Sequence, residues 1–147
     1  MIGRTDRGFV GEGLQHYIDR LERAEKIEMV VLPEAGTGDP MHQRKVEGER
    51  LLAAIRPGEK LVVLDEGGAQ FTSTGFADRL RQWRDQGTRT CTFMIGGAYG
   101  IPDMVKQRAD LLLSLSAMTF THQMVRVILA EQLYRAYSIM KGSGYHH

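Results

Sequence analysis

Alternating strand-like and helix-like stretches predict an α/β fold, a mainly parallel sheet flanked by helices, in one domain spanning residues 1–147. Three observations carry that prediction. The runs Lys60-Leu-Val-Val-Leu64, Thr90-Cys-Thr-Phe-Met-Ile95 and Leu111-Leu-Leu-Ser-Leu115 are largely apolar, as in strands covered on both faces. Helix-length segments with one apolar face lie between and around them. Pro33, Pro57-Gly58, Gly67-Gly68 and Gly96-Gly97 punctuate the junctions.

In chain order, Met1-Ile-Gly3 reads as the tail of a first strand cut short, and Arg4–Gly8 as a polar loop. From Phe9 a helix is predicted, with Val10, Leu14, Tyr17, Ile18 and Leu21 on one face. Ile27–Leu32 reads as a strand stopped by Pro33, and Glu34–Asp39 as a flexible loop. A helix from about Met41 to Arg56 turns Gly48, Leu51, Leu52 and Ile55 inward. Its Arg44, Lys45 and Arg50 make a basic face, for which solvation is the simpler account and an RNA contact the other.

The strand Lys60–Leu64 ends at Asp65-Glu-Gly-Gly68, and Ser73 is the expected cap of a third helix in which Phe76, Leu80 and Trp83 share a face. Pro102 suits the start of a short helix after the glycine turn. The last helix, about His122 to Met140, carries a stripe of Val125, Ile128, Leu129, Gln132, Leu133, Ala136 and Met140. Val127, Ala130, Tyr134, Tyr137 and Ile139 add apolar surface outside that stripe. A helix packed only on its own sheet needs one stripe. The surplus implies a second partner, most simply a second copy of the chain, or else full burial in a small core.

Net charge is +1 with acids and bases mixed, which neither argues for nucleic acid nor excludes it. The single cysteine, Cys91, cannot form an internal disulfide and reads as a small buried hydrophobe. The apolar runs are far too short to span a bilayer and no leader pattern opens the chain, so a soluble cytoplasmic protein is expected. Several chemistries are missing. There is no G-x-G-x-x-G, no P-loop lysine, no zinc-spaced Cys/His cluster and no serine nucleophile elbow, so no metal site is expected. A glycine turn without a phosphate motif, beside a Ser/Thr loop, suits an adenosine-like group gripped by backbone N–H and C=O.

The combination Phe93-Met-Ile-Gly-Gly-Ala-Tyr-Gly100, Leu113-Ser-Leu-Ser-Ala-Met-Thr-Phe-Thr-His122, Val125-Arg126, Glu131-Gln-Leu-Tyr-Arg-Ala-Tyr137 and Tyr145-His146 resembles the large-subunit ribosomal RNA methyltransferase H family of the SPOUT superfamily. The resemblance covers nearly the whole chain, including Val62-Val-Leu-Asp-Glu66, and is strongest after Thr90. It implies an α/β-knot fold with a C-terminal trefoil knot, a homodimer, and S-adenosylmethionine as methyl donor without a metal. It also implies methylation of the N3 nitrogen of a pseudouridine in large-subunit rRNA of the assembled ribosome.

Carried over by position, the resemblance assigns the cofactor to Leu64, Gly96, Gly97 and the loop Ser116, Ala117, Met118, Thr119, Phe120 and Thr121. Leu64, Met118 and Phe120 can flank an adenine with apolar surface. The target imide nitrogen must lose a proton, so a base or a stabilising cation is needed. Candidates are His122, Arg126, Arg135, Tyr145 and His146; the two arginines could hold rRNA phosphate or make structural ion pairs. The chain departs from the family pattern at Ala98 and Gly144, where proline is usual, and ends without the usual acidic residue. A catalytically silent RNA- or ribosome-binding module and a flavodoxin-like nucleotide-binding regulator are the competing readings.

Overall fold

The computed structural model describes residues 1–36 and 38–142. Among these, eight elements follow one another: α1 (Phe9–Glu22), α2 (Pro40–Ala53), β1 (Lys60–Ala69), α3 (Ser73–Asp85), β2 (Cys91–Met94), α4 (Asp103–Arg108), β3 (Leu111–Leu113) and α5 (His122–Met140). The strands form a parallel sheet in the order β2-β1-β3. Side chains of the central strand alternate between two covered faces. Val62 and Leu64 join Ile95 and Leu113 against α3 and α5, while Leu61 and Val63 join Met94 against Leu51 of α2 and Val105 of α4. That double cover explains why residues 60–64 show no polar alternation.

Local chemistry sets the ends of the elements. Asp39 caps α2 by accepting the His42 N–H at 3.1 Å, and the helix stops at Ala53, short of the expected Arg56. Thr72, not Ser73, caps α3. Thr72 has extended backbone and accepts the Gly75 N–H at 3.0 Å, whereas Ser73 is already helical and donates its hydroxyl to Gln132 Oε1 at 2.9 Å. β1 continues past Leu64 to Ala69 through a register shift that sets Ala69 opposite Leu113. Gly68 permits it: a Cβ there would lie 2.6 Å from the Leu112 carbonyl carbon. Cys91 is partly buried; burial first, then Asp110 and Glu59, push its thiol up to about 12.

The segment Ile27–Leu32 is not a strand, which corrects the sequence reading. Among the described residues only the bridge between Ile2 and Leu32 forms there, in parallel sense. The reason lies in its neighbour, since a strand exists only where a ladder partner does. Met1–Gly3 supplies just a few rungs: Leu32 N–H to Met1 O and Gly3 N–H to Leu32 O, both 2.8 Å, and Ile2 N–H to Ile95 O at 3.3 Å. The amino group of Met1 donates to Val30 O at 2.8 Å, and burial together with the nearby Arg126 charge lowers it to about 6. Beside these rungs a groove of about 430 Å³ separates residues 27–32 from β2, leaving Met29, Val30 and Val31 exposed.

The surplus apolar surface of α5 has an intramolecular answer. Val127, Ala130, Tyr134 and Tyr137 pack on Leu14, Ile18 and Leu21 of α1, and Ile139 joins the sheet-side cluster. Every residue of α5 is at least partly buried. The helix has two partners, and the second is α1 rather than necessarily another chain.

The groove generates a stability prediction. An engineered run of alternating β-branched residues ahead of Met1 would continue the Ile2 ladder between residues 27–32 and β2. It should raise the thermal midpoint by several degrees, as roughly 1–2 kcal/mol of added burial does in a domain of this size. A Gly/Ser run of equal length should not. Equal midpoints for both extensions would show that the groove takes no strand.

Candidate functional site

The three strands point their carboxyl ends the same way. From β1 the chain crosses to β2 on one flank, and from β2 it passes over to β3 on the other. The crevice beyond β1, between the two diverging connections, is where ligands bind in such sheets. A cleft of about 700 Å³ lies there. Its floor is Leu64 and Asp65, one wall is the turn from Ile95 to Ile101, and the other runs from Leu113 to Ser116 and from Met118 to Thr121. The strands that carry the two loops are not neighbours; β1 separates them.

The glycine turn is tight because its atoms leave no room for side chains. Gly100, at φ 75°, donates its N–H to Gly97 O at 3.1 Å, closing the turn. A Cβ on Gly96 would fall 2.6 Å from Ile101 Cγ1. In the opposite loop the hydroxyls serve the loop itself. Ser114 Oγ donates to Ser116 O at 2.8 Å, Ser116 Oγ accepts the Met118 N–H at 2.9 Å, and Thr121 caps α5 by accepting the Met124 N–H at 3.2 Å. Met118 and Phe120 are left exposed at the rim.

Of the residues assigned to the cofactor, Leu64, Gly96, Gly97, Ser116, Met118, Thr119, Phe120 and Thr121 line this cleft; Ala117 does not. Of the catalytic candidates, His122 lines it, with Nε2 3.3 Å from Gln123 Nε2. Arg126 is elsewhere. It is buried, donates to Thr5 Oγ1 at 2.9 Å and Ile2 O at 2.7 Å, and lines the groove beside the amino end. Arg135 pairs with Glu131 one turn back on α5, its Nε 3.0 Å from Glu131 Oε1. Tyr145 and His146 lie outside the described residues.

Four charged residues line the cleft that sequence reasoning did not place there: Arg44, Asp65, Glu66 and Lys106. Arg44 Nη2 donates to Ile101 O at 2.6 Å, and Lys106 pairs with Asp65. Burial alone would raise the Asp65 carboxyl, but the Lys106 bond, the Gly67 N–H and the Lys106 and Arg44 charges hold it below its ordinary range. The signal was slight: an acid at the end of a buried strand, and cations on two helices far apart in sequence. Among the described residues no group of three or more His, Cys, Asp or Glu side chains could hold a metal ion, and no helix is long and apolar enough to cross a membrane.

Parallel strands, diverging crossovers, a glycine turn and a Ser/Thr loop together define an α/β domain with a cleft at the switch point of the sheet, where such folds bind ligands. Comparison with known proteins narrows that class. The chain belongs to the SPOUT methyltransferase family, whose sequence model, described as "Predicted SPOUT methyltransferase", matches residues 1–146. Similar proteins include one from Trichlorobacter lovleyi, 43% identical over 146 residues, and one from Desulfotalea psychrophila, 40% identical over 146 residues. A third, from Oleidesulfovibrio alaskensis, is 42% identical over 148 residues. Each alignment covers 99% of this chain and 95% of the relative, and each relative is named ribosomal RNA large subunit methyltransferase H.

The Asp65–Lys106 pair yields a pH test. A carboxyl held low in the fold stabilises it above the unfolded aspartate value, about 3.9, and that contribution is lost as pH falls through the folded value. Asp65→Asn should therefore cost on the order of 1 kcal/mol in urea unfolding near neutral pH, and the difference should shrink toward pH 3. A difference that stays constant between those pH values would contradict the depressed carboxyl.

Proposed function

We propose that this protein is an S-adenosylmethionine-dependent methyltransferase that modifies N3 of a pseudouridine in large-subunit rRNA, acting on the ribosome in the cytoplasm as a homodimer. The observation that carries the reading is the cleft over β1, lined by the glycine turn and the loop 116–121 in a SPOUT-family chain. Relatives about 40% identical over nearly their whole length, each named for rRNA methylation, support the substrate class. The sulfonium methyl is already electrophilic. The protein's task is to align the attacking nitrogen with the departing sulfur and to dispose of its proton. Leu64 on the floor and Met118 and Phe120 at the rim offer apolar surface to the adenine, and the two loops offer main-chain donors and acceptors to its edge.

His122 is the described catalytic candidate that reaches this space, at the start of α5 beside the Thr119–Thr121 wall. In this reading it takes the imide proton or stabilises the anion left behind. The dimer has a narrower basis than the sequence offered, because α1 covers much of α5. What remains is Met118 and Phe120, exposed on the approach to α5, followed by Met124 and Ile128, which are half-buried and belong to none of the core clusters. A second copy seated there would close the open side of the cleft.

Calorimetry with S-adenosylmethionine should show one site per chain, and the protein should transfer methyl groups to ribosomes from cells lacking this modification. Absence of heat at near-millimolar ligand would remove the enzyme reading; binding without transfer would leave an RNA-binding module. His122→Ala should lower turnover by roughly 10²-fold or more while cofactor affinity stays within about threefold. Undiminished turnover would exclude His122 from proton transfer. Sedimentation at micromolar concentration should give twice 16.5 kDa, and a single 16.5 kDa species would dispose of the dimer.

A further inference from the structure

Helix α2 lies behind the glycine turn and touches it at three points. Arg44 holds the far end through Ile101 O at 2.6 Å. Gly48 packs so closely on Pro102 that a Cβ would overlap the proline ring. Between them stands Glu47, a carboxylate only 2% exposed. Its Oε1 accepts the Ala35 N–H at 3.0 Å and Gln43 Nε2 at 3.2 Å, which fixes the orientation of the group. Its Oε2 is buried, has no hydrogen-bond partner among the described residues, and is pressed against the turn: a Cβ on Gly97 would lie 2.6 Å from it.

A buried oxygen without a donor is costly, and an apolar residue of similar size would fill the same space without that penalty. Such a group calls for a role that packing alone does not give. Gly97 faces the cleft while Glu47 does not line it, so the carboxylate backs the turn from the side away from the ligand space. Arg44 and Glu47 are three residues apart on one face of the helix. One rigid element thus fixes both the middle and the end of the turn.

We propose that Glu47 is a positioning residue that sets where the Gly96–Gly97 backbone stands, and through it the affinity for S-adenosylmethionine, without touching the cofactor. The inference rests on the cofactor assignment made above. It also gives Gly97 a second reason to be glycine: the space that its side chain would need belongs to the carboxylate of α2.

Second-site suppression tests this directly, with calorimetry for cofactor affinity and steady-state kinetics alongside. Glu47→Ala should weaken affinity and raise KM for the cofactor about tenfold, with kcat at saturating cofactor little changed; Glu47→Gln, which keeps the shape, should stay within about threefold of the parent. Gly97→Ala should also lose about tenfold, because the methyl group and Oε2 claim one space. Combining it with Glu47→Ala, or with the milder Glu47→Asp should the alanine variant fail to fold, should recover much of that loss by vacating the space. Additive losses in folded variants, or a Glu47→Ala protein that melts lower with unchanged KM, would overturn the proposal. A parent protein that binds no cofactor would instead overturn the functional reading on which it stands.

Discussion

The enclosure of Leu61–Val63, in the first half of β1, is the constraint on which the rest depends. The two edges of this stretch are taken by parallel neighbours and its two faces by helices, so Leu61, Val62 and Val63 are buried outright. Side chains of this kind contribute roughly 1.5–3 kcal/mol each when fully buried. A strand held from four directions cannot shift, and its carboxyl end becomes the fixed point from which the two flanking connections separate. The cleft is the space they leave. Its floor, Leu64 and Asp65, directly follows the buried part of β1, and its walls are loops because each neighbouring strand stops there.

Those walls are stiffened in different ways. The glycine turn is held from behind by α2 and closed on itself by the Gly100–Gly97 bond. The opposite loop is held by its own hydroxyls, which satisfy local backbone groups and lead into the cap of α5. Met118 and Phe120 stay exposed on this second wall. Helix α5 joins this architecture to the amino end of the chain. Arg126 donates across it to Ile2 O and Thr5, and Gln123 donates to Arg4 O at 3.0 Å while accepting the Asp6 N–H at 3.0 Å.

Much of this was legible in the chain, and what was not has definite causes. Buried parallel strands announce themselves as apolar runs, so β1 and its two neighbours could be read without any partner in view. A slot at the strand ends followed from glycines and a Ser/Thr loop, and the residues lining it from the family resemblance carried over by position. Ile27–Leu32 had the right composition for a strand, but among the described residues its backbone meets only the few rungs to Met1–Gly3. Thr72 and Ser73 have equivalent hydroxyls, and only the backbone angles decide between them. Arg126 looked available for chemistry because its partner, the Ile2 carbonyl, is 124 residues away. Arg44 and Lys106 were illegible as lining residues for the same reason: their partners, Ile101 and Asp65, are far away in sequence. The apolar excess of α5 was real, but a pattern cannot say whether the covering helix comes from the same chain or another.

Hydrogen exchange with and without saturating S-adenosylmethionine reaches the central claim most directly, because the proposed site grips the cofactor with main-chain groups. The account predicts that slowed exchange concentrates at amides of 96–101 and 116–121, together with the end of β1. Protection confined to residues 27–32 and β2, around the other groove, would contradict it, as would unaltered exchange in both loops under conditions where the ligand is bound.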